Sequence, residues 1–430
     1  MKRFAKLLVW ISCGAMGAAL AALIALFFVV KAAVAPLPSE WTTELGTGAL
    51  RVKAGVPSLI RLGTAPWLAQ WLHGVRVPTR AGVLRLQWAA PMQTLTVHCA
   101  PCQLQGGRRS GGDANPVGHA LTGMLGHEAL QIDDLQVSVR RQGIHLHGQV
   151  RAGKLVAHWS GELQRQQLRL QLDLAPAPMA DVYALFARHI PEVGKAQIEG
   201  TFGLQAQLSL PSGSLTVQPQ MQGLRVSGLG TQALAHTQSS CGASSRLRAD
   251  SWLARAVLAA EDQRFFEHTG FDMLEINASL AHNQRSAQIE RGGSTLSQQL
   301  AKLLITGAER RPTRKLRELL YAVEMEETLG KARILRLYLD NAPWGAGICG
   351  AEAAAQHYFG TSARKLQPEQ AVWLAAMLHN PGLEAERWAR SGAINVPRAQ
   401  WVAKSLRNVP KVQRHALAQS LLVMKVGASK

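Results

Sequence analysis

Two adjacent carboxylates, Glu261 and Asp262, close an apolar run and are followed by Phe265, His268 and Gly270. A hydroxyl that must attack at neutral pH needs a base to take its proton, and a carboxylate becomes such a base when burial raises its pKa. Apolar Val257, Leu258 and Phe265 are close enough in the chain to bury one of the pair. Neighbours on a helix point about 100° apart, so only one of the two faces a given reacting atom. Further on, Gly292-Gly293-Ser294-Thr295 precede Gln298, Gln299 and Lys302. That is a turn with two hydroxyls and the free backbone amides of a helix start, an arrangement that accepts anions. The spacing of Thr295, Gln299 and Lys302 puts a hydroxyl, an amide and an ammonium on one side of the helix. A third group is Glu309-Arg310-Arg311-Pro312-Thr313-Arg314-Lys315, with Glu318 one turn beyond Arg314. Arg314 and Lys315 suit a pyrophosphate, and Glu318 can orient a cation or stabilise a reacting group. The three groups together fit glycosyl or phosphoryl transfer, with a base on the attacking hydroxyl and cations on the departing phosphate. Taken singly they are an exposed acidic helix end, an N-capped amphipathic helix and a surface ion pair.

The elements that must position these groups are helical. Trp252, Ala256, Leu258 and Ala259 share one face, as do Leu316, Leu319, Leu320 and Val323, so the chain from about 246 to 430 is expected to be mainly α. Upstream the period is two. Ile144-His145-Leu146-His147-Gly148-Gln149-Val150 and Gln167-Leu168-Arg169-Leu170-Gln171-Leu172-Asp173-Leu174 alternate as strands with one wet face do. Between these regions Gln238-Ser239-Ser240-Cys241-Gly242-Ala243-Ser244-Ser245 reads as a linker. The expected organisation is an α+β multidomain chain. It has a cytoplasmic stub and transmembrane helix over 1–34, a β-rich domain of unassigned role over 35–235, a linker over 236–249 and a mainly α domain over 250–430.

The 47% hydrophobic content of these 430 residues supports packed cores and excludes disorder as the main state. A net charge of +19 favours anionic partners. Residues 7–30 contain no charged side chain and are long enough to span a bilayer, and Lys2, Arg3 and Lys6 before them set the N-terminus in the cytoplasm. Ala33-Val34-Ala35 offers a cleavage pattern as the alternative, but the apolar run exceeds a signal-peptide core. Cys13 falls in that run. Outside it, Cys99 and Cys102 could be a short-loop disulfide or a redox pair, and Cys241 with Cys349 pair by parity and shared compartment. Gly345-x-Gly347-x-x-Gly350 mimics a dinucleotide loop but follows a helical run, so it reads as a turn. Ser362-Ala363-Arg364-Lys365 matches an acyl-enzyme motif, but no K-T-G accompanies it.

In order and spacing, the three groups resemble the glycosyltransferase domain of the peptidoglycan transglycosylases, also found in bifunctional penicillin-binding proteins. The first motif is Glu261-Asp262-x-x-Phe265-x-x-His268-x-Gly270, the second Gly292-Gly293-Ser294-Thr295-x-x-Gln298-Gln299, and the third Arg314-Lys315-x-x-Glu318. Lys331-x-x-Ile334-Leu335-x-x-Tyr338-Leu339 and Gly350-Ala351-Glu352-Ala353-Ala354-Ala355-x-x-Tyr358-Phe359-Gly360 are similar to later motifs, and the resemblance covers about 250–385. It implies a lysozyme-like α fold and a monofunctional enzyme that polymerises lipid II onto a growing polyprenyl-linked glycan. Glu261 would be the base, Asp262 its support and Glu318 a second functional carboxylate. Ser294, Thr295, Gln298, Gln299, Lys302, Arg314 and Lys315 would hold substrate and pyrophosphate, while Phe265, His268, Gly270, Gly292 and Gly293 would shape the motifs. Residues 271–291 would form a jaw that approaches the membrane. No cofactor is obligatory, no metal ligands are assigned, and Mg2+ or Mn2+ would assist the leaving group as in some family members. Membrane lipids and other cell-wall synthesis proteins are implied as partners and nucleic acid is not, with the catalytic domain on the periplasmic side of the inner membrane. Departures from the family pattern are Leu303 in place of Asn, and Arg336 and Asp340 in place of Glu and Asn. A lytic muramidase-like hydrolase and an inactive membrane-anchored scaffold are the competing functions.

Overall fold

The computed structural model describes residues 32, 35–45, 52–79, 81–105, 129–286, 292–307 and 312–422. The apolar run 7–30 and residues 308–311, with Arg310 and Arg311 of the basic cluster, lie outside them. Among the described residues no helix is long and apolar enough to cross a membrane. The described chain is α+β, with a nine-stranded antiparallel sheet followed by a series of helices.

The sheet is a meander. Its strands, in spatial order, are Ser214–Ser227, Gln197–Leu210, Leu168–Pro178, Leu155–Leu163, His145–Ala152, Leu135–Gln142, Thr94–Cys99, Gly82–Ala89 and Arg76–Thr79. A separate hairpin, Cys102–Gln105 with Ala129–Ile132, interrupts the sequence order, and the Cys99–Cys102 disulfide sits where it begins. The register explains the alternation. Gln171, Ser160, His147 and Arg140 lie opposite one another across four strands, and the adjacent row is Leu172, Trp159 and Gly148. One face is therefore polar. On the other, Leu146, Leu163 and Leu168 are buried with Trp41 and Ile60 packed against them.

The chain divides into two compact units, 1–175 with 204–217, and 176–203 with 218–430. The second unit thus holds the helices together with the ends of the two longest strands. Its main core gathers the helices Trp252–Glu261, Leu296–Ala301, Pro312–Asn341, Pro368–Met377 and Val396–Ser405 around Trp344, Tyr338 and Tyr358. A second cluster buries Leu319, Leu320 and Val323 of the long helix against Met179, Tyr183, Ile190, Leu224 and Val226. The long helix breaks at Gly330, whose φ of 72° takes it out of helical geometry. The serine-rich stretch read as a linker is tied down. Ser244 and Ser245 donate to the Asp340 carboxylate, Ser239 donates to the Asp340 carbonyl, and Cys241 is bonded to Cys349. Asp340, a departure from the family pattern, thereby fastens the entry to the helical region, whereas Arg336 is exposed. Gly345, Gly347 and Gly350 all have positive φ in the tight hairpin Pro343–Gly345/Ile348–Cys349, as a turn requires.

Candidate active site

The end of the helix Trp252–Glu261 separates the two acidic residues. Glu261 is its last helical residue, while Asp262 leaves helical geometry with φ −159° and ψ 80°. Asp262 consequently points inward. Its carboxylate accepts from the Leu296 amide at 2.8 Å and from His268 Nε2 at 3.0 Å. Lys331 Nζ can only donate, at 3.3 Å to His268 Nδ1, which fixes the imidazole with its proton on Nε2 towards Asp262. Lys331 also bonds Glu326 at 2.8 Å and lies 4.4 Å from the centre of the Phe265 ring. Burial pushes the Lys331 ammonium below its ordinary pKa, against the pull of Glu326 and Asp262. Asp262, His268, Phe265 and Lys331 thus make one buried strut joining the first motif, the Leu296–Ala301 helix and the long helix.

Glu261 remains on the wall of a cleft of about 910 Å³. Its side chain is 13% exposed. Burial raises its pKa, and this outweighs the Gln299 hydrogen bond and the charge of Arg398, which lower it. Gln299 Nε2 donates to Glu261 at 3.0 Å, and Tyr338 OH donates to Gln299 Oε1 at 2.9 Å. Arg398 reaches 4.0 Å from Glu261 and donates to the Ala260 carbonyl at 2.9 Å. A desolvated carboxylate whose orientation is fixed by a clamped amide has the properties of a general base.

Across the same cleft stand Lys302, Arg314 and Lys315. Glu318 lies beneath them with its side chain fully buried, and does not line the cleft. Its oxygens are 3.1 Å from Arg314 Nε, at an angle unsuited to a hydrogen bond, and 2.6 Å from Lys315 Nζ. Lys315 also donates to Ser294 Oγ at 2.8 Å. Lys302 opens a short π-helical stretch, Lys302–Thr306, and both it and Leu303 are exposed to the cleft.

Several residues expected to hold phosphate have other partners. Thr295 Oγ1 donates to the Gly270 carbonyl at 2.7 Å and accepts from the Gln298 amide. Gln298 Oε1 accepts from the Thr295 amide, so these two close a capping box, and Gln298 does not line the cleft. With Leu296 N bound to Asp262, the amides of Thr295, Leu296 and Gln298 are satisfied from within the protein, and the helix start is not an open anion cradle there. Gln299 is clamped to Glu261, and Glu318 supports two cations. Thr295, Gln298 and Glu318 are buried, and each polar atom that leaves water must find a partner, while Thr295 and Gln299 also line the cleft. Gly270 has φ 89°, and a Cβ there would meet the Ala322 and Val323 backbone at 2.9 Å. At Gly293 a Cβ would come within 3.2 Å of Ile276 Cα, so the second motif passes close against the helix Met273–Ser286, while Gly292 is open. That helix takes up most of 271–291, and 287–291 lie outside the described residues. Among the described residues no cluster of three or more His, Cys, Asp or Glu is arranged to hold a metal ion. The clamping Tyr338 was visible in sequence only as part of a motif, and Arg398 and His379 carried no signal at all.

Residues 238–407 match the family described as Transglycosylase. A biosynthetic peptidoglycan transglycosylase of Nitrosomonas eutropha is 49% identical over 129 residues, covering 30% of this chain and 53% of that protein. Its counterpart in Alcanivorax borkumensis is 52% identical over 132 residues, 31% of this chain and 54% of the relative. That of Ectopseudomonas mendocina is 47% identical over 156 residues, 36% and 62% respectively. The chain therefore spans between half and two thirds of the length of these relatives. The matched segment contains the whole Glu261 cleft described above, so the cleft lies in the part of this chain that is similar to the transglycosylases.

Proposed function

We propose that this chain polymerises lipid II into glycan strands by inverting glycosyl transfer. The observation that carries the reading is a desolvated, amide-clamped Glu261 in one cleft with three cations, Lys302, Arg314 and Lys315. In this reaction the Glu261 carboxylate takes the proton of the acceptor sugar's 4-hydroxyl. The oxygen attacks the anomeric carbon of the growing strand from the face opposite the pyrophosphate, the carbon–phosphate-oxygen bond breaks, and its electron pair departs with the polyprenyl pyrophosphate. The cations receive that charge, which is greatest as the bond breaks. Ser294 directs Lys315, and Glu318 fixes both Lys315 and Arg314. For Mg2+ or Mn2+ the donor set fits poorly, because both Asp262 oxygens accept from protein donors and Glu318 is held by Lys315 and does not line the cleft. The side-chain cations therefore carry the step.

The wider reading keeps 1–34 as a membrane anchor, 35–235 as a β-rich section, 236–249 as the join and 250–430 as the catalytic region. Two disulfides support an extracytoplasmic setting. The helix Met273–Ser286 and residues 287–291 would be the jaw by which polyprenyl tails approach. Other cell-wall synthesis proteins would meet the β-rich section. The deciding experiment incubates labelled lipid II with the wild type and with Glu261→Gln. Wild-type polymer with a loss of about 10²-fold or more in the variant is the expected result. Equal rates would remove Glu261 as the base, and shortening of preformed peptidoglycan would replace synthesis with hydrolysis.

A further inference from the structure

The first unit carries a charge asymmetry that catalysis does not use. Between Glu44 and Asp113 the sequence contains no acidic residue, yet it holds eight lysines and arginines, a large share of the net +19. Of those within the described residues, Arg61 is paired with Glu40, whereas Lys53, Arg76 and Arg85 are exposed. In the middle of this stretch the short helix Pro66–Trp71 presents Trp67 and Trp71, four residues apart and so on one side. They are 62% and 81% exposed, the most open tryptophans among the described residues. The chain continues directly into Arg76–Thr79, the edge strand of the sheet. All four of its residues are exposed, and Val75 and Val77 are among the exposed apolar side chains.

A large aromatic left four-fifths in water forgoes a substantial hydrophobic gain unless something covers it. Indole, with an apolar body and one N–H donor, is the side chain best suited to the level of lipid headgroups. Cations flanking such residues are drawn to anionic lipid, each adding to the attraction, and an acidic residue in the stretch would oppose it. We infer that the helix Pro66–Trp71 and the edge strand Arg76–Thr79 form a docking surface for an anionic phospholipid bilayer, with Trp67 and Trp71 entering the headgroup layer. Its charge complementarity selects lipid over an uncharged partner. The inference stands on this unit alone and does not depend on the reaction proposed for the other.

The test uses the full chain, reconstituted in vesicles of phosphatidylcholine with or without phosphatidylglycerol, with Trp71 replaced by benzoylphenylalanine for photo-crosslinking. The openness of Trp71 makes the replacement compatible with folding. A second protein carries the same probe in place of Ser212, an exposed residue in the turn before the last strand. Phospholipid adducts from position 71 are expected with phosphatidylglycerol, falling several-fold without it, at high salt, or when Arg76→Glu is added, while position 212 labels little. Equal labelling at the two positions, yields indifferent to phosphatidylglycerol, or adducts to a second copy of the chain would each overturn the inference. Because no step requires lipid II, an inactive enzyme leaves the readout intact.

Discussion

Glu261 and Asp262 are chemically near-identical neighbours, and one backbone rotation gives them different work. At the helix end Asp262 turns into the protein and is saturated by Leu296 N and His268, whereas Glu261 keeps two contacts and a view of the cleft. The partner that sets the base is Gln299, held from behind by Tyr338. Its hydrogen bond is among the influences that lower a pKa raised chiefly by burial. A base works in its deprotonated form, so activity rises with pH through the Glu261 pKa. Gln299→Ala removes a lowering contribution and should move the acidic limb of the kcat/KM profile to higher pH, with kcat reduced as well because the carboxylate loses its orientation. An unmoved limb would mean that the Gln299 bond does not tune the base. The proposed base, Glu261, could be singled out in sequence because it opens a dense motif. The role of Gln299 was not, because its side-chain position on the short helix allowed either a phosphate or a carboxylate partner. Folding 38 residues apart into contact chose the carboxylate.

The element on which the site depends most is the long helix Pro312–Asn341, which carries Arg314, Lys315 and Glu318 on its first turns and Tyr338 near its end. Its position is set on two sides. The Gly270 turn lies against the Ala322–Val323 backbone, and Gly270→Ala would both strain a φ of 89° and drive a Cβ into that backbone at 2.9 Å. The expected cost is about 2–4 kcal/mol, read as a lowered melting transition together with weakened turnover. On the opposite side Arg317 grips the buried Glu192 carboxylate through Nε at 2.9 and 3.0 Å, and Tyr321 adds a bond at 3.2 Å. Burial alone would raise the Glu192 pKa, but the hydrogen bond and charge of Arg317 bring it below the ordinary value. A lowered carboxyl pKa stabilises the fold above the unfolded value and loses that contribution as pH falls. Glu192→Gln should therefore melt below wild type at neutral pH, by roughly 3 kcal/mol for a broken buried pair. The gap should begin to narrow as pH falls through the unfolded value of about 4.3 and close only below the lowered folded pKa. A gap that stays constant from neutral to acid pH would show that the charge of Glu192 is not what stabilises the helix. None of this bracing could be read from the sequence. The amphipathic period of Leu316, Leu319, Leu320 and Val323 announced a buried face, but periodicity names no partner, and the residues that cover it, from Met179 to Val226, lie far upstream.

At the scale of the whole chain, the helical region and the β-rich region were expected to meet at a hydroxyl-rich linker near 236–249, because composition changes there. Compactness divides the chain elsewhere, grouping 176–203 and the end of the last strand with the helices. The reason is physical. Leu319, Leu320 and Val323 of the long helix are covered by Met179, Tyr183, Ile190, Leu224 and Val226, and Tyr183 OH donates to the Leu316 carbonyl at 3.1 Å. Glu324, also buried, accepts from the Leu229 and Thr231 amides. A fragment of residues 236–430 would retain every motif residue and the Cys241–Cys349 disulfide, yet bare this face and leave Arg317 without Glu192. Re-exposing three aliphatic side chains at roughly 1.5–3 kcal/mol each consumes much of the stability of an ordinary domain. The fragment is therefore expected to melt well below the full chain, to bind an apolar dye such as ANS, and to lose lipid II polymerisation. The loss should come chiefly through the Arg314–Lys315 side of the cleft, because Glu261, Gln299 and Tyr338 belong to the other core. Thermal melting and polymerisation measured side by side decide the matter. A fragment as stable and as active as the full chain would show that the strand ends are only neighbours of the catalytic helices, whereas the expected loss would make residues 176–229 a structural part of the transglycosylase region that lies outside its recognised limits.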